Sequence, residues 1–270
     1  MISELILELS RKCNSKCITC NLWKLESPPS LSLDAIKSLL RAECLKDLYN
    51  LYLAGGEPTQ VKELFIDTAL FFHELHPKGI VTSTMNGLDT ESTIEVTQRL
   101  KDANVPIMWQ FSLNGKKATH DWSRGIEGAF EKTVETIRRI AEMGVAFNIS
   151  YLRTSKATEE DDNFIRDFAD QYKIGIERVD NILSGKRYDT PSKNQGLWRF
   201  NCPALKKLFV INSLGEVRAC EKDNDFLTLG NINDKSLDQI MAEKKQEVES
   251  LIEQGVCQPC DLICFYNKRL

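Results

Sequence analysis

Alternating apolar and polar residues divide most of this chain into strands and helices. Stretches with a period of two predict strands, and apolar residues spaced three and four apart predict amphipathic helices. The predicted strands cover residues 4–10, 50–56, 79–87, 105–115, 145–152 and 174–183. The predicted helices between them cover residues 32–43, 61–76, 90–102, 127–143 and 158–172. This alternation is typical of a parallel sheet with helices outside, either open or curled into a barrel.

The pattern changes near residue 184, which suggests a second, smaller domain. A polar stretch with Gly and Pro follows and indicates a linker. Beyond it, KLFVINSLGEVRAC predicts a hairpin that turns at Leu214–Gly215, and a charged helix is predicted from about 235 to 253. A cysteine-rich end completes this hairpin-plus-helix unit, whose small core is typical of metal-dependent modules. We therefore predict domains at 1–185 and 186–270.

Four distinctive loops follow predicted strands at their C-terminal ends. They contain the cysteines of 13–20, GGEP at 55–58, MNG at 85–87 and SLNG at 112–115. Functional groups of parallel α/β folds gather in the loops at this edge of the sheet. The sequence therefore predicts that all four loops contribute to one shared site.

Composition narrows the classes of function. The formal net charge of −4 argues against non-specific nucleic-acid binding, which needs a basic surface. Glu4 and Glu8 interrupt the first apolar stretch, so it resembles neither a signal peptide nor a membrane span. We expect a cytoplasmic protein with no nucleic-acid or membrane partner.

Nine cysteines are unusual for a cytosolic chain, where reducing conditions disfavour disulfides and clustered thiols indicate metal or redox chemistry. Cys44 stands alone in a helical pattern and is predicted to be a small buried residue. Cys13, Cys17 and Cys20 are too few to complete a structural zinc site, which takes four ligands. A 4Fe–4S cluster can instead use three thiolates and leave its fourth iron open to an outside ligand.

The C-x3-C-x2-C spacing after the first strand resembles the radical S-adenosylmethionine (SAM) superfamily. GGEP, STMNG at 83–87, SLNG and the downstream HDWSRG at 120–125 are similar to the superfamily's other motifs. The resemblance extends over essentially the whole chain. It implies a partial (β/α)6 TIM-like barrel in which Cys13, Cys17 and Cys20 hold a SAM-binding 4Fe–4S cluster.

The same resemblance implies which residues contact SAM. GGEP corresponds to the segment that contacts the methionine amino group, and the later motifs line the pocket and position the ribose and carboxylate. One departure concerns Thr19, because the family usually has an aromatic residue before the third cysteine; whether Trp23 substitutes is open. The implied SAM contacts are Gly55, Gly56, Glu57, Pro58, Asn86, Ser112, Asn114 and Arg124.

The C-terminal cysteines resemble the SPASM and twitch extensions of radical SAM enzymes, through a C-x12-G-x4-C hairpin that starts at Cys202. This implies a second, auxiliary 4Fe–4S cluster. A zinc ribbon is the competing interpretation. The preferred ligands are Cys202, Cys220, Cys257 and Cys260, with Cys264 as the alternative to either of the last two.

The resemblance implies an oxidoreductase or epimerase that cleaves SAM reductively to a 5′-deoxyadenosyl radical, which abstracts hydrogen from a substrate C–H bond. A flavodoxin- or ferredoxin-type protein is the expected electron donor. Oxidation is expected if the auxiliary cluster accepts an electron, and epimerisation if Cys264 donates hydrogen. Arg153, at the end of the fifth strand, is the candidate for substrate anchoring or proton transfer.

Two substrate classes remain open at this stage. One is a polar small molecule, such as a sugar, cyclitol or aminoglycoside. The other is a peptide, as in maturases of ribosomal peptides. The strand pattern begins almost at residue 1 and leaves no room for a leader-binding domain, which favours the small molecule. A third interpretation is a non-enzymatic iron–sulfur or zinc scaffold, which has no need for the GGEP, MNG and SLNG motifs together.

Overall fold

The structure is a computed structural model that describes residues 2–180, 208–218 and 228–254. Its barrel strands agree with the predicted ones; four are shorter, and the first and fifth have the predicted length. Most described strands begin the repeating strand–helix units that the sequence predicts. The strands are β1 Glu4–Ser10, β2 Asn50–Gly55, β3 Ile80–Met85, β4 Ile107–Ser112, β5 Ala146–Arg153, β6 Ile176–Asp180, β7 Leu208–Ile211, β8 Glu216–Arg218 and β9 Thr228–Asn231.

The helices also follow the predicted pattern, with one addition. That addition is α4, a short polar helix without the apolar spacing that would have predicted it. No helix in the described ranges combines the length and apolarity needed to cross a bilayer. The helices are α1 Leu33–Leu40, α2 Lys62–Leu75, α3 Thr90–Asp102, α4 Lys117–Arg124, α5 Ala129–Glu142, α6 Glu159–Tyr172 and α7 Leu237–Gln254.

The strand order establishes the barrel-like topology. Strands β1 to β6 lie side by side in chain order and pair in parallel. A doubly wound sheet would reverse its order at a switch point, whereas a (β/α) barrel adds each strand to the same side. The predicted partial (β/α)6 barrel is therefore confirmed.

The predicted hairpin forms and extends the same sheet. Strand β7 pairs in parallel with β1, and β8 and β9 follow in antiparallel pairing. Gly215 has a φ of +83° in the β7–β8 turn, a conformation that glycine adopts without steric strain. At the start of α7, both carboxylate oxygens of Asp238 accept backbone N–H groups of Glu43 and Cys44 at 2.9 Å. These contacts attach the C-terminal part to the barrel.

Each strand of the barrel presents one face to the helices and the other to the interior. On β4, the Trp109 ring lies 5.8 Å from Phe65 of α2, and its indole N–H donates to Thr97 of α3 at 3.0 Å. Because side chains alternate along a strand, Met108 and Gln110 lie on the opposite side. We call this side, which faces away from the helices, the inner face.

Candidate active site

The loop of residues 11–25, which we call the cysteine loop, carries three free, half-buried thiols directly after β1. The Ser15 backbone N–H donates to Cys13 Sγ at 3.4 Å, and Ser15 Oγ lies 3.1 Å from Cys17 Sγ. The Leu22 N–H donates to Cys20 Sγ at 3.5 Å. Polar hydrogens directed at sulfur favour the thiolate form, which is the form that binds metals. At Cys13, burial outweighs the Ser15 hydrogen bond and raises the pKa of the thiol to about 11.

Two neighbouring segments hold the cysteine loop from opposite sides. On one side, Glu57 N–H donates to Lys12 O at 2.7 Å. On the other, the Lys16 and Ile18 N–H groups donate to the last carbonyls of α4, those of Arg124 and Ser123, at 3.0 and 3.1 Å. The GGEP and RG motifs, far apart in sequence, therefore fix the backbone that carries the cysteines.

Glycines in these motifs permit that close packing. A Cβ on Gly56 would lie 2.1 Å from Lys12 O, and one on Gly125 would lie 2.3 Å from Lys16 O. Gly125 also ends α4 in a left-handed conformation with a φ of +65°. Close packing against the cysteine loop is thus one reason for glycine at position 56, and the implied SAM contact of Gly56 stays a prediction.

Glu57 is buried and its carboxylate is held within the protein. It accepts hydrogen bonds from Asn86 N–H at 2.8 Å and Thr59 Oγ1 at 3.0 Å. Burial raises the pKa of Glu57 to about 7, against the lowering effect of these hydrogen bonds. Pro58 begins the short 3-10 helix that places Thr59 beside it.

Asn86 connects three parts of the site. Its amide nitrogen donates to Asn14 Oδ1 of the cysteine loop at 2.7 Å, and its oxygen accepts from Leu88 N–H at 2.9 Å. Its backbone N–H contacts Glu57 as described above. Sequence analysis missed Asn14, whose place between Cys13 and Ser15 is its only sequence signal.

Asn114 belongs to a buried network that the sequence did not predict. Its side chain donates to Ser123 Oγ at 2.9 Å and accepts from Leu152 N–H at 3.1 Å. Its backbone N–H donates to His120 Nδ1 at 3.1 Å, and His120 Nε2 lies 3.4 Å from Thr133 Oγ1. Burial, with a contribution from the Arg124 charge, lowers the pKa of His120 to about 2, so this imidazole is neutral.

The opposite pKa shifts of His120 and Glu57 predict opposing pH dependences. Between about pH 2 and its ordinary pKa of 6.5, His120 binds a proton only in the unfolded chain, so its contribution to stability is lost as pH falls. Between 4.5 and about 7, Glu57 binds its proton only in the folded chain, so its contribution is lost as pH rises. The two nearly cancel where their windows overlap.

We therefore expect that Glu57→Gln makes the pH dependence of stability due to His120 measurable. From pH 4.5 to 6.5, the free energy of unfolding of this variant should rise relative to wild type by about 1.4 kcal/mol per pH unit. Urea unfolding of the reduced full chain at several pH values measures this slope. The exposed Glu74→Gln is the control and should track wild type. Parallel curves for Glu57→Gln and wild type would contradict the predicted coupling.

Arg124 contacts one of the cysteines, and its side-chain Nε contacts no described hydrogen-bond acceptor. Its Nη1 donates to Cys17 Sγ at 3.4 Å. Burial opposes ionisation of Cys17, but the Arg124 charge and the hydrogen bond from Ser15 lower the pKa of its thiol. Arg124 Nε is buried and donates to no described residue. A buried, unpartnered guanidinium N–H beside the loop fits an anionic group such as the carboxylate of SAM.

The three thiols of the cysteine loop are the right ligands for the expected iron–sulfur cluster, but their side chains must reorient to bind it. Across the described ranges, no three His, Cys, Asp or Glu side chains converge as they would around a bound metal ion. Cluster binding therefore requires the three cysteine side chains to turn toward one another within the clamped backbone. The thiols, their polar hydrogens and Arg124 are the residues available to hold the cluster and SAM.

Two predicted site residues lie at the ends of neighbouring strands. Ser112 ends β4 and pairs with Ser150 of β5 in the sheet register, on the inner face. Arg153 ends β5, and its Nε lies 3.1 Å from both oxygens of Asp162 on α6. This ion pair places the Arg153 head group against the helix layer, and its catalytic role stays a prediction.

Comparison with protein families supports both halves of the chain. A family described as the radical SAM superfamily matches residues 7–168. An iron–sulfur cluster-binding domain matches residues 202–262. The second match begins at Cys202 and ends before Cys264. All five predicted auxiliary ligands, Cys202, Cys220, Cys257, Cys260 and Cys264, lie outside the described residues.

Individual relatives differ in what they are named for. Fe-coproporphyrin III synthase of Methanosarcina barkeri is 25% identical over 171 residues, which are 63% of this chain and 41% of that protein. Sporulation killing factor maturation protein SkfB of Bacillus subtilis is 25% identical over 161 residues, 58% of this chain and 37% of that protein. The chain thus spans about two fifths of their length. SuiB of Streptococcus suis, solved with SAM, shares the fold, with a TM-score of 0.69, 19% identity and coverage of 88% of this chain and 65% of that one.

Proposed function

Because this chain belongs to the radical SAM superfamily, we propose that it abstracts hydrogen from a C–H bond of a polar small molecule and dehydrogenates or epimerises it. The substrate class is a sugar, cyclitol or aminoglycoside. The chain is an enzyme, so the non-enzymatic scaffold considered from the sequence is set aside.

The cofactors are SAM, a 4Fe–4S cluster that binds it, and an auxiliary iron–sulfur cluster in the C-terminal domain. When bound, they supply the one-electron cleavage of SAM and the abstraction of hydrogen from substrate. We assign the first cluster to Cys13, Cys17 and Cys20. For the auxiliary cluster we retain Cys202, Cys220, Cys257 and Cys260, with Cys264 as alternative. The separate family matches at 7–168 and 202–262 support a domain boundary at 185/186.

The chain's own residues would prepare the site for this chemistry. The clamped cysteine loop holds its three thiols at the C-terminal mouth of the barrel, where the inner face begins. Arg124 offers its buried Nε to a carboxylate, and Asn114 and Asn86 hold the ends of β4 and β3 in register with the loop. These contacts fix the geometry in which a substrate carbon would meet the reactive group.

The observation that carries the substrate class is the polarity of the inner face. Hydroxyl and amide side chains occupy it on four consecutive strands, below Ser112. Such a surface suits a ligand rich in hydroxyl and amino groups, because hydrogen-bonding side chains line it and the buried Asn148 Oδ1 has no donor among the described residues. The polar residues are Asn50, Tyr52, Thr82, Thr84, Gln110, Asn148 and Ser150.

A peptide substrate is the second candidate, and the relatives favour it. SkfB is named as a maturation protein, and SuiB has been solved with its precursor peptide SuiA. The porphyrin enzyme of Methanosarcina barkeri shows that relatives of similar identity are also named for small molecules. The inner-face polarity is why we rank the small molecule first.

Deuterium transfer tests the proposal. Anaerobically reconstituted protein, SAM and dithionite are incubated with perdeuterated sugars, aminocyclitols or peptides, and 5′-deoxyadenosine is analysed by mass spectrometry. Deuterium arriving from a sugar or cyclitol supports the proposal. Deuterium that comes only from a peptide supports the second candidate instead. Absence of transfer from any polar small molecule rejects the small-molecule function.

We further propose that the electron donor docks on the cysteine loop. The loop is basic, through Arg11, Lys12, Lys16 and Lys24, and contains no acidic residue. Its apolar side chains Ile18, Trp23 and Leu25 are exposed by 42%, 37% and 43%. A basic rim around exposed apolar groups suits an acidic flavodoxin- or ferredoxin-type protein.

A charge reversal in this loop is expected to separate two ways of reducing the enzyme. Lys24→Glu should slow flavodoxin-supported 5′-deoxyadenosine formation about threefold to tenfold at low salt, since rim charges steer association. The rate with dithionite should stay at the wild-type value. Lys78→Glu, an exposed site before β3 at the other end of the barrel, is the matched control. Equal effects of the two variants would reject docking at the loop.

A further inference from the structure

Amide side chains occupy the inner face on three strands of the described barrel, β2, β4 and β5. Two of the three accept hydrogen bonds from neighbouring protein hydroxyls. Asn50 Oδ1 of β2 accepts from Thr82 Oγ1 at 2.9 Å, and Gln110 Oε1 of β4 accepts from Thr84 Oγ1 at 2.6 Å. Both amide oxygens are therefore satisfied within the protein.

Other polar groups on this face are engaged as well. Glu177 of β6 accepts from Gln110 Nε2 and makes a further interaction. Tyr52 OH contacts Thr84 Oγ1, and Tyr52 also makes a further interaction. Because these side chains already have partners, they do not favour a ligand of one particular charge.

The third amide, Asn148 of β5, is different. It pairs with Gln110 in the sheet register, so it lies on the inner face. Its Oδ1 is buried and accepts no hydrogen bond from any residue that the structure describes. A buried amide oxygen without a donor destabilises the folded protein, and a ligand O–H or N–H would satisfy it.

Asn148 lies below the predicted SAM contact of β4. Ser150 follows it by two residues on the same face of β5, about 6.6 Å farther along the strand toward the mouth. Ser150 in turn pairs with Ser112, which the sequence predicts to contact SAM. A ring held by Asn148 and Ser150 would therefore lie next to SAM, where a substrate carbon must be for hydrogen abstraction.

We propose that Asn148 and Ser150 form a substrate subsite in which Asn148 Oδ1 accepts a hydrogen bond from a hydroxyl group of a sugar or cyclitol ring. This inference rests on the proposed function and deepens it, since it names the residues that hold the substrate. Ser150 Oγ can donate to or accept from a second ring hydroxyl. Both side chains are uncharged, so the subsite requires no charge on the ligand.

The stability of the substrate-free protein distinguishes a ligand-binding amide from a structural one. Asn148→Val removes a buried oxygen that has no donor, so we expect the melting temperature of the reconstituted full chain to rise by about 2–4 °C. Asn50→Val is the matched control, also half-buried on the inner face. It removes the acceptor of the Thr82 hydroxyl, so its melting temperature should fall by a similar amount.

The difference between these two variants is the decisive quantity, because the gain in strand propensity from Asn to Val is common to both. A fall for Asn148→Val as large as that for Asn50→Val would show that a protein group or a bound water already satisfies Asn148. That result would overturn the subsite.

Equilibrium binding tests the ligand class without turnover. Two polyols, myo-inositol and D-glucose, are titrated into the reconstituted full chain with SAM and no reductant, and dissociation constants are measured by ligand-observed NMR. We expect at least one to bind and Asn148→Val to weaken it about threefold to tenfold, as for the loss of one hydrogen bond. Asn163→Ala, at an exposed position of α6, is the control and should bind like wild type.

A second variant guards against local misfolding. Ser150→Ala removes only a hydroxyl group and should weaken the same polyol several-fold, while SAM affinity stays unchanged in both variants. Wild-type polyol affinity in either variant, or no binding of any polyol to the wild-type protein, would overturn the subsite. Failure of deuterium transfer would instead reject the proposed function, and the stability comparison does not depend on any substrate.

Discussion

Cys17→Ala is expected to abolish SAM cleavage while leaving the barrel folded. With two thiolates left in the cysteine loop, the open-iron cluster loses a ligand, and 5′-deoxyadenosine should fall to the background of iron-free protein. Cys17 is also the cysteine that Arg124 and Ser15 contact together, at 3.4 and 3.1 Å, so the same change removes a link between the loop and α4. The barrel strands form without it, because their apolar faces are buried against the helices.

The measurement combines iron content, the visible absorption of the cluster and 5′-deoxyadenosine yield after anaerobic reconstitution. Cys44→Ala is the matched control. Cys44 is half-buried outside the cysteine loop, and its backbone N–H donates to Asp238 at 2.9 Å, so it is a free cysteine that is not part of the triplet. Its variant should retain wild-type cleavage. SAM cleavage at the wild-type level by Cys17→Ala would show that the three cysteines do not hold the SAM-binding cluster.

Gly56→Ala is expected to produce the second largest loss, although it changes no cofactor ligand. Its Cβ would lie 2.1 Å from Lys12 O, so the cysteine loop must move by about 1 Å to relieve the overlap. A displacement of this size at a reactive centre can reduce the rate about 100-fold. We expect a comparable drop in 5′-deoxyadenosine formation and a destabilisation of about 1–3 kcal/mol.

Gly175→Ala is the matched control for this change. A Cβ on Gly175 would meet no heavy atom within 4 Å, so the variant should keep the wild-type rate and stability. Cleavage rate and urea unfolding are measured for both variants. A Gly56→Ala enzyme with the wild-type rate would show that the cysteine loop tolerates displacement, and the clamp would then have no part in positioning the cluster.

The sequence by itself determined the repeating strand–helix units, the partial barrel and which loops we assign to cofactor binding. These features are encoded in short windows. Alternation within β4 and the spacing of Cys13, Cys17 and Cys20 need no knowledge of distant residues. The clustering of loops at one sheet edge also follows from parallel strand direction alone.

Only the tertiary structure decided how those loops are held and what the barrel interior offers a substrate. Asn14 meets Asn86, Lys16 meets Arg124, and neutral His120 joins Asn114 to Thr133, none of which has a local sequence signal. Inside the barrel, a chain of hydrogen bonds from Tyr52 through Thr84 and Gln110 to Glu177 joins four strands. Such contacts depend on strand register and on the stagger between neighbouring strands, because a shift of one residue would turn each of these side chains to the other face of the sheet.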